Sequence, residues 1–293
     1  MVIDSSQERT RAPSFVAALP RHARARVTRL AVGTAVWAFL LGNAAGLLWM
    51  WSHGGNVTRV HTTGEGLTSA ARLTGLISAY LALIQVVLLA RLPFLERLVG
   101  FDRLTVWHRW NGHACLDLVL AHVVLSIWGY SLMDRLSIAK ETSTMIWGGI
   151  YPGMITATIG TFLFVAVVVS SIVVVRRRLR YEWWHAVHLT AYAAIALAWF
   201  HQIPTGNELV LDRVAADYWT SLYIATLALL VVFRIGVPFL NTFRFRLRVA
   251  DVVEEGPGVV SLRMRGRGLD RLKAEPGQSE SLQVGGIAIW TSW

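Results

Sequence analysis

Six histidines lie inside apolar stretches long enough to cross a lipid bilayer: His108, His113 and His122 in one, His185, His188 and His201 in another. An ionisable side chain within a spanning helix is costly, so each is a functional hypothesis by default. Neutral imidazole is a good metal ligand. Two of them on facing helices can supply both axial ligands of a haem iron while the macrocycle fills an apolar slot between the helices. Depth in the membrane then orders the set. With one run starting near 104 and the other near 183, His108 lies about four residues in, His188 about five, and His122 and His201 about eighteen each. If both runs cross in the same direction, the four form two levels, about 20 Å apart at 1.5 Å per residue. Two such levels make a relay able to carry electrons across the bilayer.

Helix rotation supports this arrangement on one run. The 14-residue step from His108 to His122 falls about 40° short of four full turns, so both rings look toward the same neighbour. The 13-residue step from His188 to His201 falls about 140° short and calls for local tightening or tilt. Replacing His188 by His185 gives a step of 16 and a worse depth match, yet His185 stays open as the inner ligand. A lone membrane histidine is more often a packing residue or a member of a proton relay, and His113 is read as a polar interhelical contact. Four at two matched depths are harder to dismiss. His22, His53 and His61 fall outside the spans, where His53 and His61 could bind a metal at the outer surface.

The elements that must position these residues follow from composition. Of 293 residues, 54% are hydrophobic and only 16% charged, with 13 Trp, against roughly 25% charged in an ordinary globular protein. So few charges cannot cover a soluble surface, so the chain reads as an integral membrane protein. Six runs approach the ~20 apolar residues a span requires: 28–51, 67–90, 104–130, 154–175, 183–202 and 217–240. The Arg-rich leader before the first run has no small-residue cleavage site close behind it, so that run is a retained helix and not a signal peptide.

Basic residues set the direction. Arg9, Arg11, Arg21, Arg24, Arg26 and Arg29 precede the first run, Arg91, Arg97 and Arg103 follow the second, RRRLR at 176–180 follows the fourth, and Arg244, Arg246 and Arg248 follow the sixth. The alternate connections hold only Arg59, then Arg135 and Lys140, then Arg213. Both termini are therefore expected in the cytoplasm, in a multi-pass protein of the plasma (inner) membrane. Trp107, Trp110, Trp183 and Trp184 fall at the cytoplasmic ends, and Trp49, Trp51, Trp128, Trp199 and Trp219 at the outer ends, as aromatic belts do. The net charge of +10 sits beside the apolar runs and forms no basic face, which argues against nucleic acid. A single Cys115 excludes an internal disulfide, a CxxC pair and an iron–sulfur cluster held by this chain alone.

The segments WHRWNGHACLDLVLAHVVLSIWGY and YEWWHAVHLTAYAAIALAWFHQ resemble the ferric reductase-like transmembrane domain of ferric reductases and NADPH oxidases. The resemblance covers about residues 28–240 and implies two b-type haems. The cytoplasmic-side haem would fall to His108 with His188 and the outer one to His122 with His201, the resemblance favouring His188 over His185. It also implies a cytoplasmic FAD-binding barrel and an NAD(P)H-binding domain. Phe243, Phe245, Leu247 and Val249 alternate as a strand would, with a turn at Glu255-Gly256-Pro257-Gly258 and a returning strand from Val259 to Met264.

The expected fold is thus all-α: a six-helix transmembrane bundle ending in a β-hairpin-like start of a flavin-binding barrel. Residues 1–27 form a basic tail, 28–240 the transmembrane domain and 241–293 the incomplete barrel. The family's flavin-binding His-Pro-aromatic-Ser/Thr motif is absent, since no His follows His201, and no glycine-rich dinucleotide loop remains. The chain therefore reads as a truncated or frame-disrupted member, bacterial in its Arg- and Ala-rich style, with no complete flavin or nicotinamide domain of its own.

The implied function is that of an oxidoreductase carrying electrons from a cytoplasmic flavin donor to external ferric iron or dioxygen. Arg91, Arg109 and Arg178 are candidate cations for a haem propionate. The alternative is a haem b subunit relaying electrons between quinol or a separate flavoprotein and a partner reductase. A proton-coupled transporter is disfavoured because no internal repeat is visible and no Pro falls inside the third or fifth run.

Overall fold

The computed structural model describes residues 21–256, 259–269, 282–284 and 287–289. Its helices, in chain order, are α1 (Arg21–Trp51), α2 (Thr63–Leu88), α3 (Pro93–Val99), α4 (Phe101–Asp134), α5 (Ile138–Trp147), α6 (Met154–Ser171), α7 (Val173–Arg176), α8 (Tyr181–Thr205), α9 (Asn207–Leu211), α10 (Arg213–Leu229) and α11 (Val237–Phe245). Wide π-type turns extend α1 over Ser52–Asn56 and join α10 to α11 over Leu230–Gly236.

Six stretches are long and apolar enough to cross a membrane: Leu30–Asn56, Thr63–Leu88, Phe101–Asp134, Met154–Ser171, Tyr181–Thr205 and Arg213–Phe245. Each overlaps one of the six runs read from the sequence. Trp37, Phe39, Phe162, Trp183 and Phe200 stand more than half exposed on these helices, an apolar exterior suited to acyl chains and unsuited to water. The molecule is a multi-pass membrane protein.

Local signals explain where the spans begin and end. At the start of α2 the Thr62 hydroxyl accepts from the Glu65 amide, and the Glu65 carboxylate accepts from the Thr62 amide at 2.8 Å, a reciprocal cap that satisfies two otherwise unpaired donors. Asp212 caps α10 by accepting from the Val214 and Ala215 amides. α4 opens after Gly100 at φ +88° and closes at Arg135 in the left-handed region, the conformation that ends many helices. The fifth span runs three residues beyond the sequence-based end and takes Pro204 into its last turn.

The chain divides into two compact units, Met1–Leu230 and Val231–Trp293. In the first, the closest helix pairs are α2 with α4 and α6 with α8. Small residues permit both. A Cβ on Gly129 would stand 2.7 Å from Thr68 Cγ2, and one on Gly160 would stand 2.9 Å from the Ala194 carbonyl oxygen. Inside a membrane, such close backbone approach and interhelical hydrogen bonds take over the role of hydrophobic burial. The α2–α4 pair adds a reciprocal bond: Ser78 Oγ donates to the Cys115 carbonyl at 3.0 Å, and Cys115 Sγ to the Ser78 carbonyl at 3.3 Å. A third cluster joins α1, α2, α9 and α10 through Leu47, Met50, Tyr80, Leu209, Ala215 and the fully buried Trp219.

In the second unit, β1 (Arg248–Gly256) pairs antiparallel with β2 (Val259–Arg265), with register shifts between Val249 and Asp251 and between Glu254 and Gly256. A short pair, β3 (Leu282–Val284) and β4 (Ile287–Ile289), follows. The expected hairpin is present but starts later than its pattern suggests. Phe243 and Phe245 belong to α11, and Arg246 at φ +44° ends that helix. The reason is helical spacing: Phe239 and Phe243 pack edge to face at 4.7 Å, one turn apart. Pro257 and Gly258 of the expected turn lie outside the described residues.

Candidate functional site

The four histidines at the two matched depths face each other in pairs. The His108 and His188 ring centres are 6.1 Å apart with planes at 50°, and those of His122 and His201 are 6.4 Å apart at 36°. A metal–imidazole nitrogen bond of about 2.0–2.1 Å, plus roughly 1.1 Å from nitrogen to ring centre, separates two rings on one metal by about 6.3 Å. Both pairs stand at that separation. The 13-residue step needs no break, because α8 is α-helical throughout. His185, the alternative, stacks on Tyr181 with ring centres 5.7 Å apart. His113, expected between helices, is exposed on α4.

Hydrogen bonds decide which nitrogen each ring presents. His108 Nδ1 lies 3.2 Å from the Gln85 carbonyl, and His122 Nδ1 lies 2.8 Å from the Ala71 carbonyl. A carbonyl only accepts, so in both rings Nδ1 carries the proton and Nε2 keeps its lone pair. At His188 the partner is the Ser171 hydroxyl, 3.3 Å away. That hydroxyl donates to the Val167 carbonyl at 2.7 Å, which leaves its oxygen to accept from His188 Nδ1 and from Trp184 Nε1. Three rings are thus held by their far nitrogen with Nε2 free, the usual arrangement of a ligating histidine. His201 Nδ1 is buried without a partner in hydrogen-bonding geometry.

Neighbouring residues shape the two levels. Beside His108, Gln85 Nε2 donates to the His108 carbonyl at 2.8 Å, and its Oε1 accepts from Asn111 at 2.7 Å. Beside His188, Trp184 stacks at 5.0 Å and carries the Arg176 guanidinium over its face at 4.5 Å. At the other level, Gly75 makes room for His122, since a Cβ there would stand 2.7 Å from Nδ1. A Cβ on Gly153, at φ +78°, would stand 2.9 Å from the His201 backbone. Gln202 accepts from Trp219 Nε1 at 2.8 Å and from the Tyr223 hydroxyl at 2.9 Å. A cavity of about 430 Å³ opens here, with His122, His201, Arg72, Tyr130, Tyr151 and Trp219 in its walls.

Of the arginines singled out from the sequence, Arg91 lies over Phe101 at 4.2 Å and 3.5 Å from Glu96, while Arg109 and Arg178 are exposed. Two other arginines lie nearer the histidine pairs: Arg72 lines the cavity with His122 and His201, and Arg176 lies over Trp184, which stacks on His188. Arg72 reaches Asn56 Oδ1 at 2.9 Å, and Asn56 in turn donates to the buried Glu208. His53 stacks on Trp49 at 4.4 Å. Among the described residues, no group of three or more His, Cys, Asp or Glu side chains could hold a metal ion.

Two polar groups near the His122 level lie outside the spans. Burial and, after it, the charge of Asp134 push the Glu141 carboxyl up from its ordinary value. Burial first, then Tyr130, Asp134 and Glu141, push the Tyr151 phenol up to about 12.

Residues 74–199 match the family model described as ferric reductase like transmembrane component. No curated protein and no solved structure matches the chain. The matched segment contains His108, His122 and His188 and ends two residues before His201. Over residues 74–199 the chain is thus similar to the ferric reductase like transmembrane component.

Proposed function

We propose that this chain carries electrons across the membrane through two b-type haems, one held by His108 and His188 and the other by His122 and His201. The family match points to an oxidoreductase and to transmembrane electron transfer, in a family that is generally haem-containing and flavin-associated. The observation that carries the finer reading is the pair of facing imidazoles at each level, 6.1 and 6.4 Å between ring centres. The donor is a cytoplasmic flavin reduced by NAD(P)H, on this chain or a partner flavoprotein. The acceptor is ferric iron or dioxygen at the outer face.

Haem, when bound, would supply reversible one-electron chemistry at its iron. The residues of the chain prepare its place. Gln85, Ala71 and Ser171 fix three ring orientations and leave Nε2 free to ligate. Gly75 lets His122 settle against α2. Small-residue contacts hold α2 to α4 and α6 to α8, so the facing rings belong to two firmly packed pairs. Arg72 stands in the wall of the His122–His201 cavity, where a carboxylate of a bound group would find a cation.

Single substitutions test the pairing. His122→Leu and His201→Leu should each remove the same haem and spare the other, and His108→Leu and His188→Leu should do the converse, followed by redox titration of the purified variants. Loss of different haems from His122→Leu and His201→Leu would overturn the assignment.

A further inference from the structure

Among the described residues, one fully buried carboxylate has no hydrogen-bond partner. Glu141 is 0% exposed, and neither of its oxygens makes a hydrogen bond. It sits on α5, the short helix between the third and fourth spans, on the buried face that it shares with Met145 one turn on. Met145 lines the cavity that also holds His122 and His201. No cationic side chain forms an ion pair with Glu141 among the described residues. Protonation alone does not resolve its position: a neutral carboxyl group in the same place still has a hydroxyl donor and a carbonyl acceptor to satisfy, and each unmet group costs about 1–3 kcal/mol.

The surroundings supply oxygen and negative charge. Asp134 is the last residue of α4, and Tyr130 lies one turn before it, on the same face of that helix. Tyr151 packs on Tyr130 with ring centres 5.5 Å apart, and both line the cavity. Asp134 and Glu141 are near enough to Tyr151 for their charges to bear on its phenol. The oxygen donors of the local set are therefore two carboxylates and two phenols. Hard, highly charged cations prefer such oxygen donors, while soft thiolate and imidazole sites select other metals.

We propose that Glu141, Asp134, Tyr130 and Tyr151 form a binding site for a hard, oxygen-preferring cation beside the His122–His201 cavity. Ferric ion belongs to this class. The site thereby gives the proposed electron path a place where its acceptor docks, and in that respect it rests on the reading above. Glu141 and Asp134 provide the charge, and the two phenols complete the oxygen shell from the cavity side.

Terbium(III), a hard trivalent ion whose emission is sensitised by nearby tyrosines, is the direct probe, titrated into the full chain in detergent. The expected result is saturable sensitised emission that ferric nitrilotriacetate competes away. Glu141→Gln, which keeps the side chain's shape, and Asp134→Asn, at an exposed position, should each weaken binding by about tenfold or more, because affinity in oxygen sites follows the number of charged ligands. Tyr151→Phe should dim the emission. No saturable emission in the parent protein, or affinity equal to the parent's in both carboxylate variants, would overturn the site. The haem spectrum of the same samples separates this from the electron-transfer reading. Binding in a colourless protein leaves the cation site standing and removes the electron path, whereas two haems without terbium binding do the reverse.

Discussion

Gly75→Ala puts the positioning of His122 to a sharp test. A Cβ at position 75 would stand 2.7 Å from His122 Nδ1 and 2.9 Å from Cε1, where ordinary contact begins near 3.4 Å. The ring must therefore retreat by about 0.7 Å. Retreat away from α2 stretches the 2.8 Å bond to the Ala71 carbonyl to about 3.5 Å, which forfeits a contact worth about 1 kcal/mol. It also brings the ring toward His201, from 6.4 Å between centres to about 5.7 Å. Each metal–nitrogen distance then shortens by about 0.35 Å, beyond the roughly 0.2 Å that a ligand site tolerates. The expected outcome is selective loss of the haem at the His122 level, with the His108 level intact. The assay is haem per chain by pyridine haemochrome, with a redox titration to say which haem remains. Gly46→Ala is the control, because nothing lies within 4 Å of a Cβ there, and an open helical position gains about 0.5–1 kcal/mol from that change. Two haems at unchanged potentials in Gly75→Ala would refute the proposed seating of His122.

Gln85→Leu removes the bonds to the His108 carbonyl and from Asn111, a cost of about 1–3 kcal/mol. The His108-level potential or occupancy should shift while the other level stays fixed, again by redox titration. Trp219→Ala empties a site that is 0% exposed and strands a bond to Gln202. Thermal unfolding in detergent should show a loss of about 3–5 kcal/mol.

Much of this was legible in the sequence because membrane spans obey one strong rule. Backbone groups in lipid must be paired within helices, so hydropathy alone located all six spans. Depth counting also sorted the four histidines into the two pairs whose rings meet. Orientation was less legible. The step of about 140° from His188 to His201 discouraged pairing on wheel geometry, yet both rings reach their partners from an unbroken helix.

What the sequence hid is what depends on contact between distant segments. Gly75, Gln85 and Ser171 carry no pattern that marks them as supports of a histidine. They become visible only when α2 lies on α4 and α6 on α8. The nearness of Arg72 and Arg176 to the histidine pairs was likewise hidden, because charge counting ranks loops and cannot tell which guanidinium turns inward. α5 is only ten residues long and too short for a periodic signal, so nothing in the sequence singled out Glu141. Phe243 and Phe245 alternate like a strand, but their spacing from Phe239 is also helical, and the helix prevails.

The central proposal is that four imidazoles hold two haems within the bundle. The most direct measurement is the reduced-minus-oxidised spectrum of the purified chain with haem quantified against protein. The expected result is a b-type signal at about two haems per chain, each iron bound by two histidines. A colourless protein, or one whose spectrum is unchanged by His108→Leu and His201→Leu, would contradict it.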